Sequence, residues 1–489
     1  MRELQHPPNA ASLLESMRSL GYSVESALAD LIDNSISANA RKVSIEFRTV
    51  GEPYVALLDD GNGMSSAQLE GAMRHGSQSP LVGRSAQDLG RYGLGLKTAS
   101  ISQCRRMTVI SLKDGELSGY VWDMDVVIRT NSWTLLVLDE EDISPLPHVS
   151  DLRAAGSGTI VLWQRLDRLC AGEISAGQAI DEKMDFARQH LSLVFHRYLA
   201  GESSLPRLSL CMNSVSLKPV DPFLTSHRAT QRLDDDAFTV EGQKVHVKPF
   251  ILPHLSKLSR EDVEEAGGAD SFRVRQGFYV YRHYRLIIWG TWFHLGRKDE
   301  LSKLARVRVD IPNSLDHLWT LDIKKSVAAP PEAVRTNLRR IIRRIRDHSS
   351  NTINFKGKLS DPGLITTGWN EVVDRIGVRY EINRGHPTIK RLENALSSAG
   401  RADLEGILRS IETTFPADAL YARMASEIRP SFASTLNETE LADLARTLIS
   451  GLESDSSVRK AILDSLHLIE PFSIDKALAQ KIAYEISEK

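Results

Sequence analysis

The chain has 489 residues, 42% hydrophobic and 25% charged, a balance that supports real packed cores and an expectation of about two to four domains. A formal net charge of −2 excludes a polycation, so any affinity for nucleic acid must come from a local basic patch. The three cysteines, Cys104, Cys170 and Cys211, are scattered and match neither a disulfide framework nor a zinc site. The sequence has no apolar signal core at its start and no apolar run of about 18 residues, so the expectation is a cytoplasmic protein without a membrane span.

Residues 10–40 carry helical periodicity, with Leu13, Leu14, Met17 and Leu20 on one stripe, a break at Gly21, and a second helix through Ala27, Leu31, Ile32 and Ile36. Residues 41–49 alternate as a strand, and 53–59 form another that ends on Asp59 before a Gly-rich turn. Residues 64–100 are Gly- and Ser-rich and then helical. Strand patterns follow at 106–112, 117–124, 133–138 and 158–164. This half reads as an α/β sandwich with much antiparallel character, because the regular alternation of a doubly wound sheet is missing. A second, α+β domain is expected over 180–330. It has a helix near 181–200, strands near 207–217 and 243–252, a charged loop at 256–270, and an aromatic strand pair at 277–281 and 286–289. A basic helix fills 331–348, and from about 388 onward the pattern is helical.

Four short motifs carry candidate chemistry. In Ala29-Asp30-Leu31-Ile32-Asp33-Asn34-Ser35, Asp30 and Asn34 are one helical turn apart and share a face, a pairing suited to orienting water and completing a Mg²⁺ shell. The same spacing also fits a plain solvent-facing helix. In Asp59-Asp60-Gly61-Asn62-Gly63-Met64, a strand delivers a carboxylate into a glycine turn, where it can accept a hydrogen bond from an exocyclic amine; a simple turn is the alternative. Gly90-Arg91-Tyr92-Gly93-Leu94-Gly95-Leu96-Lys97 puts glycines and a lysine before a helix start, where backbone amides and the helix dipole favour phosphate. Its spacing is neither that of a Walker A loop nor that of a Rossmann fingerprint. In Gly156-Ser157-Gly158-Thr159, a small polar residue opens a strand, as many ordinary strands do.

The order and spacing of all four resemble the Bergerat signature of the gyrase, chaperone, histidine-kinase and MutL (GHKL) ATPases, over about the first 170 residues. The resemblance implies ATP and Mg²⁺ as ligands. It makes Asp30 the general base and Asn34 the Mg²⁺ ligand, and it gives adenine recognition to Asp59. Gly61, Gly63 and Met64 would flank the base, Gly93, Leu94, Gly95, Leu96 and Lys97 would hold phosphates, and Thr159 would support an adenine-bound water. One departure stands out: the hydrolytic members carry Glu where this chain has Asp30, which reaches about 1.5 Å less. Asp33 is a competing carboxylate, turned about 100° from Asn34 around the helix.

The words Asp-Leu-Ile-Asp-Asn-Ser and Gly-Arg-Tyr-Gly-Leu-Gly-Leu-Lys-Thr-Ala-Ser resemble the MORC-like branch, of the bacterial stand-alone type. Tyr281-Arg282-His283-Tyr284-Arg285-Leu286-Ile287 is similar to a strand of that branch's second, ribosomal-protein-like transducer domain. Such a domain sends a lysine back to the γ-phosphate, which here points to Lys324 or Lys325. The implied organisation is an ATP-binding domain over 1–170, a transducer-like domain over 180–330, a basic helix and connector over 331–387, and a helical region over 388–489. The implied activity is a slow ATPase that dimerises on ATP binding and acts on DNA in genome defence, restriction or maintenance, with any nuclease or helicase supplied by another chain. Two alternatives are a nucleotide-gated binding module with negligible turnover and a chaperone-like ATPase with protein clients. The basic helix, with Val334, Leu338, Ile341, Ile342 and Ile345 on one face and arginines on the rest, suits either a DNA backbone or a salt-bridged seam.

Overall fold

The computed structural model describes residues 8–19, 21–74, 95–173, 175–202, 205–266, 268–298, 302–315, 330–354, 366–373, 378–416, 437–449 and 456–487. It divides into two compact units, Met1–Asn354 and Phe355–Lys489. Among the described residues, no helix is long and apolar enough to cross a membrane.

The first unit begins with helices α1 (Ala10–Arg18) and α2 (Val24–Ser37), then strands β1 (Lys42–Arg48) and β2 (Tyr54–Asp59) and helices α3 (Ser66–Met73) and α4 (Gly95–Ile101). Strands β3 (Arg106–Lys113) and β4 (Glu116–Asp123), helix α5 (Met124–Thr130), strand β5 (Leu136–Leu138), helices α6 (Glu140–Ile143) and α7 (Val149–Ala155) and strand β6 (Gly158–Gln164) follow. Helices α8 (Ala176–Val194) and α9 (His196–Ala200) precede two short strands, β7 (Ser209–Met212) and β8 (Val215–Ser216). All eight strands join one sheet in the order β5-β4-β3-β6-β2-β1-β7-β8, antiparallel except where β1 meets β7.

Alternation along the strands sends side chains to two different cores. On β2, Val55 and Leu57 pack with Leu28, Leu31 and Ile32 of α2 and Ile180, Met184 and Leu191 of α8. Ala56 faces the other way, onto Ile143, Val149 and Leu152 of α6 and α7. The result is a sheet with helices on both faces, the α/β sandwich expected from the pattern. The segment around 207–217, expected in the second domain, instead completes this first sheet, because β7 docks beside β1 and α8 packs on α2.

A second sheet forms from β9 (Gln231–Arg232), β10 (Asp236–Val240), β11 (Gln243–Ile251), β12 (Gly277–Arg282), β13 (Arg285–Thr291) and β14 (Ala305–Ile311). Its order is β10-β11-β14-β12-β13, with β9 beside β11. The stretch expected as a loop at 256–270 contains α10 (Arg260–Glu265) and the start of α11 (Ala269–Val274); a Ser259–Asp262 capping box starts α10 despite the charged composition. The basic helix, α12 (Glu332–Asn354), packs on this sheet. Val334, Leu338, Ile341, Ile342 and Ile345 are buried against this sheet. The described arginines meet the protein's own acceptors: Arg335 and Arg339 pair with Glu332, Arg340 with Asp236, and Arg344 donates to the Asp234 carbonyl. Trp292 and Phe293 are buried in the same core.

The two sheets are joined through α9. The Arg197 guanidinium pairs with Glu202 and Asp310 and lies over the rings of Tyr281 and Tyr284, and Tyr198 donates to the His283 carbonyl at 2.6 Å.

The second unit contains a hairpin of β15 (Trp369–Val373) and β16 (Val378–Ile382), inside the segment expected as connector, followed by helices at Pro387–Ala395, Ser398–Thr413, Glu438–Ile449, Ser456–Asp464 and Lys476–Ser487. The described residues from 388 onward fit the helical expectation. His386 caps the first of these helices through the Thr388 amide, with Pro387 at its start.

Candidate nucleotide-binding site

Helix α2 and the end of β2 build the centre of the site. Asp59 ends β2 and is 6% exposed. Its Oδ1 accepts from the Gly61 amide at 2.9 Å and its Oδ2 from the Ser35 hydroxyl at 2.9 Å. Burial raises its carboxyl pKa above the usual value, against the pull of Gly61, Ser35 and the Thr159 backbone. These partners are neutral, and a carboxyl whose pKa burial shifts is a candidate for a functional site. Asp60 next to it does structural work: its Oδ1 accepts from the amides of Arg41 and Lys42 at 2.7 and 2.8 Å.

The turn after Asp59 packs tightly on its neighbours. Gly63 has a φ of +62°, and a Cβ there would lie 2.1 Å from the Leu112 carbonyl oxygen. Gly158 has a φ of +137°, and its Cβ would lie 2.0 Å from the Asp59 carbonyl oxygen. Both positions therefore demand glycine for the protein's own backbone, before any ligand is considered. Register places Thr159 beside Asp59 on one side and beside Ser111 on the other. Ser111 Oγ links the group: it accepts from the Met64 amide at 2.8 Å, donates to the Gly158 carbonyl at 2.9 Å, and meets Thr159 Oγ1 at 3.0 Å. Asp59, Gly61, Gly63, Met64 and Thr159, expected together from the sequence, thus form one cluster. Ser35 and Ser111, which sequence reasoning missed, tie it together.

Helix α2, whose Ser35 meets this cluster, also carries Asp30, Asp33 and Asn34. Asp30 and Asp33 are buried, whereas the Asn34 side chain is exposed. Tyr22 donates to Asp30 Oδ2 at 3.2 Å. From β13, Arg285 reaches both acids: its Nε lies 2.7 Å from Asp33 Oδ1 and a terminal nitrogen 3.8 Å from Asp30 Oδ1. The close contact to Asp33 is poorly aligned for a hydrogen bond, so it acts as an ion pair. The motif containing Arg285 was visible in the sequence, but its target was not.

Of the expected phosphate loop, Gly93 and Leu94 lie outside the described residues, as do Lys324 and Lys325. Gly95 opens α4, and its Cβ direction meets the Asp30 carboxylate at 3.8 Å. Leu96 is half-buried on the core of α2 and α8. Lys97 is 2% exposed and donates to the Ala72 carbonyl at the end of α3 at 2.7 Å. Burial pulls its pKa down to about 8.

Among the described residues, no three His, Cys, Asp or Glu side chains form a metal cage. An exposed Asn34 amide oxygen at the end of an acidic helix face suits Mg²⁺ that arrives with phosphates and keeps its waters, not a resident protein-held ion.

Residues 22–159 match the family of histidine kinase-, DNA gyrase B- and HSP90-like ATPases. The chain carries a GHKL ATPase domain. Its relatives include the MORC and MutL proteins. It is 34% identical to ATPase morc-1 of Caenorhabditis elegans over 91 residues, 18% of this chain and 10% of that protein. It is 30% identical to the DNA mismatch repair protein MutL of Rhodospirillum rubrum over 102 residues, 21% of this chain and 16% of that protein. The matches thus span a small part of each relative. A crystal structure of the N-terminal domain of a DNA repair protein aligns over 71% of this chain and all of its own, with a TM-score of 0.43 and 16% identity.

Proposed function

We propose that this GHKL protein binds ATP with Mg²⁺, hydrolyses it slowly, and uses the cycle as a conformational switch acting on DNA. The observation that carries the reading is the buried Asp59 carboxylate, held by Gly61 and Ser35 and bordered by Thr159. In this reading Asp59 accepts from the adenine amine and Thr159 supports a water beside it. Gly61, Gly63 and Met64 line the base, and residues 93–97 meet the phosphates through backbone amides, since the Lys97 ammonium is held by the Ala72 carbonyl. Asn34 completes the Mg²⁺ shell, and the metal offsets phosphate charge when bound. Asp30 takes the proton of the attacking water, and Lys324 or Lys325 meets the γ-phosphate.

The sheet of β9 to β14 is the transducer in this scheme, supported by the contact of Arg285 with α2. ATP-driven homodimerisation, a cytoplasmic location, and a role beside a nuclease or helicase in genome defence, restriction or maintenance complete the proposal. The relative described as a DNA mismatch repair protein supports DNA as the substrate. The α12 arginines supply cations for it, although those described also meet internal acceptors.

The test is calorimetry of ATP against GTP, followed by phosphate release with and without a random DNA duplex. Equal affinity for the two nucleotides would remove Asp59 as the adenine reader. A second reading, a nucleotide-gated module without turnover, is favoured by the shorter Asp30. ATP binding without phosphate release would decide for it.

A further inference from the structure

We infer that Arg285 is a positioning residue for the candidate base Asp30, through which the second sheet sets the activity of the nucleotide site. The inference rests on the ATPase reading above.

Asp30 has one methylene less than glutamate to swing, so its placement depends on α2 and on what grips its carboxylate. The two oxygens are gripped from different directions. Tyr22, ahead of α2, donates to Oδ2, and Arg285 of β13 lies beside Oδ1. The start of α4 at Gly95 lies against the same carboxylate. Arg285 is itself fixed: it is 7% exposed, paired to Asp33 one helical turn from Asp30, and seated over the Phe195 ring, 5.7 Å from its centroid. The pair to Asp33 anchors the guanidinium, and the longer contact to Asp30 orients the base. A change in the Arg285–Asp30 spacing, with Arg285 still held by Asp33, therefore re-aims Asp30, while Asp59 and Thr159 stay in the first sheet.

A single Arg285→Gln change would break the buried pair with Asp33 and cost stability for reasons unrelated to catalysis. The Arg285→Gln/Asp33→Asn pair removes the charges together. It should melt close to the parent and bind a non-hydrolysable ATP analogue within about twofold of the parent Kd, while single-turnover hydrolysis falls about tenfold or more. Arg285→Lys, which keeps a charge, should retain an intermediate rate. In an Asp30→Asn background, the same pair should change the residual rate by less than about threefold, because its effect runs through Asp30. Parent-like hydrolysis by the folded pair, or an undiminished loss in the Asp30→Asn background, would overturn the inference and leave the ATPase reading standing. If the pair melts early, Arg285→Lys carries the test: a parent-like rate overturns the inference. A parent without turnover, or Asp30→Asn turning over at the parent rate, would overturn the assignment of Asp30 and this inference with it.

Discussion

Asp59→Asn separates binding from folding. The parent carboxylate is buried and accepts from the Gly61 amide and the Ser35 hydroxyl. Burial raises its folded pKa above the unfolded value of 3.8. A raised carboxyl pKa means that ionisation costs the folded state stability once the pH is above both values, as it is at neutrality. Asparagine removes that cost and keeps the shape. It also replaces one accepting oxygen with an amide nitrogen, so one of the two hydrogen bonds is lost, at about 1 kcal/mol. The two changes oppose each other, and the melting temperature should stay within a few degrees of the parent. Binding has no such offset. Losing a charge-assisted acceptor for the adenine amine should cost roughly 1.5–3 kcal/mol, about tenfold or more in Kd. Differential scanning calorimetry and ATP titration on the same preparation read both quantities. A variant that melts far below the parent but binds ATP normally would refute the argument, because it would make Asp59 a structural residue.

Three further outcomes follow from the geometry. Gly158→Ala should destabilise the first sheet by roughly 2–4 kcal/mol, since its Cβ would enter the Asp59 carbonyl at a left-handed φ; an unchanged denaturation midpoint would refute this. Burial holds His190 and His196 at a pKa of about 4 against 6.5 unfolded, so the unfolded chain binds protons first as pH falls. Stability should then drop as pH falls below 6.5, by roughly 2 kcal/mol at pH 5 from His190, and His190→Gln should flatten the acid limb measured by urea titration. Charge reversal of Arg339, Arg340, Arg343 and Arg344 should weaken salt-sensitive binding of a random duplex with only a small loss of stability, because surface ion pairs such as Arg340–Asp236 contribute about 1 kcal/mol or less; equal DNA affinity would reduce the helix to a solvated seam.

The sequence made the strands of the first sheet readable because Val55 and Leu57 alternate with Ala56 toward two separate cores. It made Asp59 and its glycines readable because a strand-ending carboxylate followed by closely packed glycines is a local pattern. It could not assign β7 to the first sheet, since pairing beside β1 is a choice between distant partners that local periodicity does not encode. The short helices α5 to α7 and α10 were hidden for a related reason: one or two turns are too few to establish a hydrophobic period. Ser35 and Ser111 left no signal, because a hydroxyl that orders a carboxylate looks like any surface serine until its partner is known. Arg285 stood inside a strand word read for its family likeness. Its chemistry lies in Asp30 and Asp33, on a helix far away in the chain.

That long-range contact constrains how a switch in this molecule can work. Arg285 and Asp33 are both buried, and separating a buried ion pair costs roughly 3–5 kcal/mol because their mutual attraction no longer offsets their desolvation. The junction is reinforced nearby by Arg197 between Glu202 and Asp310, and by the Tyr198 bond to the His283 carbonyl. Sliding β13 freely past α2 would break the buried Arg285–Asp33 pair, at more than the 1–3 kcal/mol typical of coupling between sites. In the proposed cycle a nucleotide would have two routes. It can shift α2 and the second sheet as one body, keeping the pairs intact. It can also offer Asp30 a new partner while Asp33 retains Arg285, which needs only the 3.8 Å contact to lengthen. The second route leaves the expensive pair untouched and changes only the weaker one, so it is the lower-energy way for the nucleotide site and the second sheet to sense each other.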